Sequence, residues 1–142
     1  MNLDEIEKLW KEDSTIDPDN LHLESIKIPS LHSKYFQIYN NLSILRKKEE
    51  NNFLQLQKEK WLYYSGKSDP EVYKQKPFDH RVMKSDLDKY MNTDDELVRS
   101  NTKIEYYSIM IKFLESILKN IENRSFAIKN SIDFMKFTAG YS

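Results

Sequence analysis

The sequence predicts an all-α protein built from long amphipathic helices. Its 142 residues include only two Gly and four Pro, whereas a β-rich fold of this length needs more turn-forming residues. Apolar residues make up 39% and charged residues 32% of the chain. That balance is typical of long amphipathic helices rather than of a thick globular core. The length fits one structural domain.

The composition also excludes several classes of function. No Cys is present, so no disulfide, thiolate metal site or Cys nucleophile is expected. His22, His32 and His80 share no helical spacing, and no Gly-rich phosphate loop occurs, so neither a metal, a cofactor nor an enzymatic activity is expected. No signal peptide or apolar run of about 20 residues is visible. The sequence therefore predicts a soluble, cytoplasmic protein that makes no membrane contact.

Charge divides the chain into segments. Residues 1–29 carry three Lys against eight Asp or Glu, a net −5, whereas residues 30–81 carry ten Lys or Arg against six acids, a net +4. This pattern predicts an acidic N-terminal helical arm (1–29), a long basic helix plus loop (30–92) and a C-terminal helix (93–142). The basic middle is suited to a polyanion, and the arm to a basic protein surface or to folding back on the middle.

The first half of the chain predicts two short helices and one long helix. Asn2 can cap a helix over residues 2–12. A second short helix is expected to end before Pro29, because the residue before a proline avoids helical geometry. Ser30 then caps a long helix over about residues 31–64. The apolar positions of that helix have heptad-like spacing and are Leu31, Tyr35, Ile38, Leu42 and Leu45.

The second half contains a loop and a second long helix. A Ser-Gly pair (65–66) ends the first long helix, a loop over 67–82 follows, and a short helix is expected near 84–91. A capping box with Thr93 at the N-cap and Glu96 three residues later predicts the start of the last helix.

The last helix has an apolar heptad seam that continues for more than four heptads and is broken only by Ser125. Two long helices with wide apolar faces cannot bury both faces in one small hairpin, so the pattern predicts self-association through the last helix. An antiparallel hairpin with the first long helix is the rival solution, and both can hold together. A wide apolar arc favours a ring-like homo-oligomer over a dimer. The predicted oligomerisation residues are Ile104, Tyr107, Ile111, Leu114, Leu118, Ile121, Ile128, Ile132 and Met135.

Residues 58–67 interleave lysines with large aromatic side chains. Cations bind phosphates and flat rings stack on unpaired bases, so this composition suits single-stranded nucleic acid. The alternative, more frequent for aromatic residues at helical spacing, is that the rings are core and the lysines are solvated. Helical geometry places Lys58 opposite the apolar stripe and Lys60 close to it. The predicted DNA-binding residues are Lys58, Lys60, Trp61, Tyr64 and Lys67, with Arg46, Lys47 and Lys48 earlier on the helix.

Three stretches carry a resemblance to a known family. They are the run Tyr63-Tyr64-Ser65-Gly66, the segment EYYSIMIKFLESILKNIENRSFAIK (105–129) and the ending FTAG (137–140). Together they resemble the UvsY-type recombination mediator proteins of T-even-like tailed phages, most of all the cyanophage versions. The pair RSFAIK (124–129) and FTAG is fairly specific, because coiled-coil periodicity alone does not reproduce it.

The resemblance implies a function that composition does not. Proteins of this type bind single-stranded DNA as ring-like homo-oligomers, of hexamer or heptamer class. They help a phage RecA-like recombinase to load onto DNA covered by the phage single-strand-binding protein, and they are not enzymes. The resemblance also implies that the C-terminal helix is the oligomerisation element and that the protein acts in the cytoplasm of the infected bacterial host.

The family's DNA-binding element, Lys-Ala-Arg-Leu, falls on Lys58-Glu59-Lys60-Trp61. The first Lys is kept, and Lys60 keeps the charge of the Arg but not its planar bidentate fork. Glu59 adds a negative charge, and Trp61 adds a ring on which a base can stack. Two other classes of function stay open: a coiled-coil scaffold without DNA binding and, with less support from a net charge near zero, a double-stranded-DNA architectural protein.

Overall fold

The structure is a computed structural model that describes residues 1–140, and it is all-α as the sequence predicts. Within those residues there is no β-strand. Two short helices lie between two helices of 44 residues each. The helices are α1 (Leu3–Asp13), α2 (Leu21–Tyr64), α3 (Pro70–Gln75), α4 (Leu87–Asn92) and α5 (Asp95–Thr138).

Helix α1 begins where the sequence predicts, because Asn2 caps it. The Asn2 side-chain oxygen accepts a hydrogen bond from the backbone N–H of Glu5 at 2.8 Å. The Glu5 carboxylate accepts in return from the backbone N–H of Asn2 at 3.3 Å. This reciprocal capping box satisfies two backbone donors that the helix itself leaves unpaired.

The predicted break at Pro29 is wrong, because α2 begins at Leu21 and continues through the proline. A proline inside a helix removes one backbone hydrogen bond and crowds the preceding turn, at a cost of about 3 kcal/mol. The turns before it are anchored by burial, with Leu21 8% and Glu24 7% exposed. Ser30 is therefore not a cap: its hydroxyl lies inside the helix and donates to the carbonyl oxygen of Lys27 at 3.0 Å.

The predicted capping box of the last helix is wrong by one residue. Asp94, not Thr93, caps α5, and its Oδ1 accepts from the backbone N–H groups of Glu96 at 3.0 Å and Leu97 at 3.1 Å. The Thr93 hydroxyl instead donates to the carbonyl oxygen of Lys89 at 2.7 Å. A carboxylate at this position brings negative charge to the positive end of the helix dipole, which a threonine hydroxyl does not.

The connection between the long helices contains more helix than the sequence predicts. Residues 67–82, predicted as a loop, include the six-residue helix Pro70–Gln75. Proline at the first position is favourable because that N–H has no helical partner to lose. The short helix expected near 84–91 is present at Leu87–Asn92.

The chain forms two compact units, and α2 and α5 each contribute a segment to both. The first unit comprises Met1–Ser43 with the chain from Ile109 onwards, and the second is Ile44–Ser108. Within each unit the two long helices run antiparallel, so the hairpin pairing predicted as one solution is present. The division into acidic arm, basic middle and C-terminal helix is a functional one, and it stays a prediction.

The core of the first unit is formed largely by the apolar stripe of α5. Ile6 of α1 and Tyr35 of α2 are both 0% exposed beside it. Four of the predicted oligomerisation residues are not fully buried. Ile132 is partly buried and Met135 is 51% exposed, and Ile104 and Tyr107, which belong to the second unit, are partly buried. The other five are at most 9% exposed, so the chain itself already covers them; they are Ile111, Leu114, Leu118, Ile121 and Ile128.

Arg124 of α5 ties the N-terminal arm to the first unit. Its Nη1 donates to the carbonyl oxygen of Asp13 at 2.9 Å, and its Nη2 donates to the carbonyl oxygen of Thr15 at 3.2 Å. Nη2 also lies 3.2 Å from Oε2 of Glu24. The guanidinium is thus shared between the end of α1 and the start of α2, and the acidic arm packs on its own chain.

Asp13 makes a second link between α1 and α2. Its Oδ2 lies 2.7 Å from Nζ of Lys34 and accepts a hydrogen bond from the Tyr35 hydroxyl at 2.8 Å. The Tyr35 ring in turn contacts the Trp10 ring edge-on, with centroids 5.4 Å apart. Partial burial acts to raise the pKa of Asp13, but the hydrogen bonds from Lys34 and Tyr35 outweigh it and hold the pKa below its ordinary value of 3.8.

Among the helices of residues 1–140, none is both long and apolar enough to cross a bilayer.

Replacing Arg124 with Ala is expected to destabilise the protein by about 3–5 kcal/mol, because it leaves the buried Glu24 carboxylate with only the exposed Lys27, 3.5 Å away, as its cation. Urea unfolding followed by circular dichroism measures the loss. Lys119→Ala removes an exposed cation from the same helix and serves as the control, with an expected change within about 0.5 kcal/mol. Equal unfolding midpoints for the two variants would contradict the assigned role of Arg124.

The Asp13→Asn variant is expected to show how stability depends on pH. A carboxyl whose pKa is lower in the folded than in the unfolded state stabilises the fold above its unfolded pKa, and this contribution disappears as pH falls through the folded pKa. The stability difference between wild type and Asp13→Asn is therefore expected to be constant above about pH 5 and to shrink below about pH 4. Urea unfolding at a series of pH values tests this, and a difference that grows towards acid pH would contradict it.

Candidate nucleic-acid interface

The basic aromatic stretch 58–67 forms the last turns of α2 and the turn that follows. The N–H of Lys67 donates to the carbonyl oxygen of Leu62 at 2.9 Å, and the N–H of Gly66 donates to that of Tyr63 at 3.2 Å. These two bonds define a Schellman motif, which requires a residue with positive φ. Gly66 supplies it with φ of 74°, so the helix ends at the Ser-Gly pair as the sequence predicts.

The two lysines of the predicted DNA-binding element lie on different faces of α2, as helical geometry predicts. The Lys60 side chain is only 15% exposed, and its Nζ lies 3.4 Å from Oδ2 of Asp94 and 3.5 Å from Oε1 of Glu96. Lys58 is exposed, and it has no ion-pair partner among residues 1–140. One lysine is thus neutralised by the chain's own acids, and the other faces solvent.

Asp94 connects the end of α2 to the start of α5. While its Oδ1 caps α5, its Oδ2 accepts a short hydrogen bond of 2.6 Å from the Tyr64 hydroxyl. Burial, and then this hydrogen bond, raise the pKa of Tyr64. Burial acts to raise the pKa of Asp94 as well, but bonding to Tyr64 and to the Leu97 N–H lowers it. Tyr64 and Lys60, both predicted DNA-binding residues, therefore hold the two long helices together in the second unit.

Farther along the second unit the helices are joined through Glu49. The Ser100 hydroxyl donates to its Oε1 at 2.7 Å, and Nζ of Lys103 lies 3.6 Å from its Oε2. The hydrogen bond from Ser100 is the main cause that lowers the pKa of Glu49. Because these contacts occupy the inward face of α2, they leave the opposite face uncovered.

Most aromatic rings of this region pack against one another. Tyr63 stacks on Tyr73 with centroids 5.5 Å apart, and it contacts Phe78 at 5.2 Å. Tyr64 contacts both Phe78 at 5.3 Å and Tyr90 at 5.7 Å. For Tyr63 and Tyr64 the structure therefore agrees with the alternative interpretation of the sequence, in which aromatic residues at the end of the helix are core.

Trp61 is different, because it is 41% exposed. The Lys67 ammonium lies over its indole ring, 4.8 Å from the ring centroid. The Schellman turn at Gly66 makes this contact possible, since it reverses the chain and returns Lys67 towards the last turn of α2. Trp61 also lies one turn after Lys58, so an exposed ring and two exposed lysines share one end of the helix.

A line of exposed residues runs along the uncovered face of α2. We call it the outer stripe; its members recur at spacings of four and three residues, which place them on one side of a helix. Every member is exposed, including an apolar side chain, Leu54, at 61%. The outer stripe consists of Lys47, Asn51, Leu54, Lys58 and Trp61.

The three earlier basic residues differ in their surroundings. Arg46 and Lys47 lie 3.7 Å and 3.9 Å from the Glu50 carboxylate, whereas Lys48 is exposed without an ion pair in residues 1–140. Sequence reasoning found the lysines of the outer stripe but missed Asn51 and Leu54, although their spacing from Lys58 is visible in the sequence. It also missed the role of Asp94, which lies too far along the chain for any local signal.

The described residues, 1–140, contain no group of His, Cys, Asp or Glu side chains arranged to hold a metal ion. The site is therefore built from cations, one exposed indole and hydrogen-bonding side chains. Such a surface can bind phosphates and stack on bases, which is what single-stranded nucleic acid offers.

Comparison with known proteins agrees with this chemistry. Residues 9–141 match the family model described as "Recombination, repair and ssDNA binding protein UvsY". The chain is 28% identical over 145 residues to the recombination protein uvsY of Enterobacteria phage T4, with 99% of each chain covered.

Solved structures show the same fold. A crystal structure of the bacteriophage T4 recombination mediator protein UvsY matches with a TM-score of 0.87 at 26% identity, covering 99% of each chain. A second crystal form of that protein matches with a TM-score of 0.81 at 25% identity, covering 94% of this chain and 98% of the other. The family match extends over nearly the whole chain and includes the outer stripe, so the chain belongs to the UvsY family of recombination, repair and single-stranded-DNA-binding proteins.

Proposed function

We propose that the protein is a recombination mediator that binds single-stranded DNA as a ring-like homo-oligomer of hexamer or heptamer class. It promotes the loading of a phage RecA-like recombinase onto DNA covered by single-strand-binding protein, without catalysing a reaction, in the cytoplasm of the infected host. Family membership supports the class of function. The observation that carries the DNA contact is the exposed outer stripe at the position of the family's DNA-binding element.

Within this proposal the basic residues have two roles. Lys58, Trp61 and Lys67 contact the strand directly, since all three are exposed, and Lys47 and Lys48 extend the contact along α2. Lys60 and Tyr64 support the contact from beneath, because their polar atoms bind Asp94 at 3.4 and 2.6 Å. Apart from Arg46, which lies 3.7 Å from Glu50, the predicted DNA-binding residues thus divide into residues that touch phosphates or bases and residues that hold the helix end in place.

A single copy of this surface would bind weakly, because a few lysines neutralise only a few phosphates. A ring repeats the outer stripe once per subunit. Once one subunit holds the strand, the others bind it at high effective concentration, so several weak contacts become one tight contact. A strand that follows the ring is bent and extended, which loosens its hold on the single-strand-binding protein and presents it to the recombinase.

The surface available for self-association lies near the end of α5. Three phenylalanines there are largely exposed: Phe126 at 66%, Phe134 at 67% and Phe137 at 79%. The five buried residues of the heptad seam are already covered within the chain, so we place the subunit contact on these phenylalanines, which lie on the opposite side of α5. Ile132 and Met135 lie on the seam side and remain predicted contacts. Burying such rings in an interface removes apolar surface from water, which is the main driving force for association.

The Lys58→Ala and Lys60→Ala variants are expected to affect DNA binding in different ways. Lys58→Ala lowers affinity for an oligonucleotide and lowers the slope of log affinity against log salt by about one for each lost phosphate contact. Lys60→Ala leaves the slope unchanged but lowers the unfolding midpoint, because the Asp94 carboxylate loses its cation. The double variant is expected to bind at least about tenfold more weakly at low salt. Fluorescence anisotropy with a labelled oligonucleotide at several salt concentrations measures this.

Two results would change the proposal. An equal loss of slope in Lys60→Ala would place Lys60 on a phosphate rather than beneath the surface. Wild-type protein that shows no salt-sensitive binding would instead favour the alternative function, a coiled-coil scaffold whose basic stretch is only a solvated face.

A Phe134→Glu/Phe137→Glu variant is expected to dissociate the oligomer while keeping the helical content of the monomer, because it introduces charges at exposed positions only. Light scattering after gel filtration measures the mass, and circular dichroism measures the helix. The monomer is expected to lose tight DNA binding. Ile111→Glu is the contrast, since a charge at a residue that is 2% exposed unfolds the first unit. A Phe134→Glu/Phe137→Glu oligomer of unchanged mass would show that the contact lies elsewhere.

A further inference from the structure

Trp61 is the one aromatic residue of the 58–67 stretch that does not pack in the aromatic cluster of the second unit. Tyr63 and Tyr64 pack in the aromatic cluster of the second unit, whereas no aromatic ring within residues 1–140 packs on Trp61. The chain contains two Trp residues, and the other, Trp10, packs edge-on against the fully buried Tyr35. An indole that is 41% exposed has apolar surface that a ligand can remove from water.

The surroundings of Trp61 favour a nucleotide as that ligand. Lys67 places its ammonium 4.8 Å from the ring centroid, which restricts the indole and puts a positive charge beside it. Lys58 lies one helical turn earlier, on the same face and also exposed. A flat ring with two lysines on the same end of the helix matches the composition of a nucleic acid strand, in which bases alternate with phosphates.

We infer that Trp61, held by Lys67, is a base-stacking platform that makes the outer stripe select single-stranded over duplex DNA. Lysines bind the phosphates of both forms and do not distinguish them. A base in a duplex is stacked on its neighbours and paired, so it offers no free face to an exposed indole. An unpaired base does, and stacking on an aromatic side chain is largely independent of its sequence. This inference rests on the proposed function, and it adds the residue that supplies strand selectivity.

The turn at Gly66 determines whether the platform is assembled. Its φ of 74° returns Lys67 to the indole, and a residue with a Cβ is strained in that conformation. Gly66→Ala has open space around the added atom, with nothing within 4 Å, so any effect on binding comes from backbone strain and not from a clash. This variant therefore tests the placement of Lys67 without changing any side chain that contacts the strand.

The experiment compares three DNA probes of equal length at one salt concentration: an oligo-dT, an oligonucleotide of abasic residues with the same number of phosphates, and a duplex. Trp61→Ala is expected to lower affinity for oligo-dT roughly tenfold and to change affinity for the abasic strand and the duplex less than about twofold. Trp61→Phe, which keeps a ring, retains most of the binding. Leu45→Ala is the matched control, because Leu45 lies on the same helix and is exposed to nearly the same extent, 42%, but is outside the outer stripe.

A fluorescence measurement tests the stacking directly. In a Trp10→Phe background Trp61 is the sole Trp, and its emission is expected to be quenched by oligo-dT but not by the abasic strand. Wild type that binds all three probes equally, or Trp61→Ala that loses affinity for all three equally, would overturn the inference while leaving single-strand binding intact. If wild type fails to bind oligo-dT at all, the proposed function itself is wrong, so the two failures are distinguishable.

Discussion

A single carboxylate determines how the second unit is built. Asp94 caps α5 with one oxygen and binds Tyr64 with the other, at 2.6 Å, while the Lys60 ammonium neutralises it. Because its side chain is only 6% exposed, it can neither exchange these partners for water nor lose its cation without cost. The contact fixes which face of α2 points inward. Everything on the opposite face, the outer stripe included, is exposed as a consequence.

Local signals predicted the structure well wherever a few adjacent residues determine it. Asn2 caps α1 as predicted, and Gly66 ends α2 because only glycine adopts a positive φ at low cost. Signals that depend on distant partners failed. Pro29 predicts a helix end, but burial of the preceding turns overrides that preference. Asp94 rather than Thr93 caps α5, because the second oxygen of Asp94 has partners on α2.

Periodicity predicted a covered face but not what covers it. The heptad seam of α5 predicts contacts either between subunits or with α2, and residues such as Leu114, at 0% exposure, are buried within one chain. A repeat of apolar residues indicates that one side of a helix is buried, but not whether its own chain or another subunit covers it. The same limit applies to the candidate site, where the sequence grouped Lys58 with Lys60 by adjacency. Helical geometry predicts that Lys58 and Lys60 lie on two faces, but it does not predict that Lys60 pairs with Asp94.

Pro29 has a consequence for how the first unit is held together. Because it donates no N–H, the eight residues of α2 before it are joined to the rest of the helix by one hydrogen bond fewer than elsewhere. Their attachment depends instead on side chains, through the burial of Leu21 and the contact of Arg124 with Glu24. Beyond the proline α1 is also bonded to α2, because Asp13 binds Lys34 and Tyr35. The first two turns of α2 are thus held to the first unit more by their side chains than by the backbone ladder of the helix to which they belong.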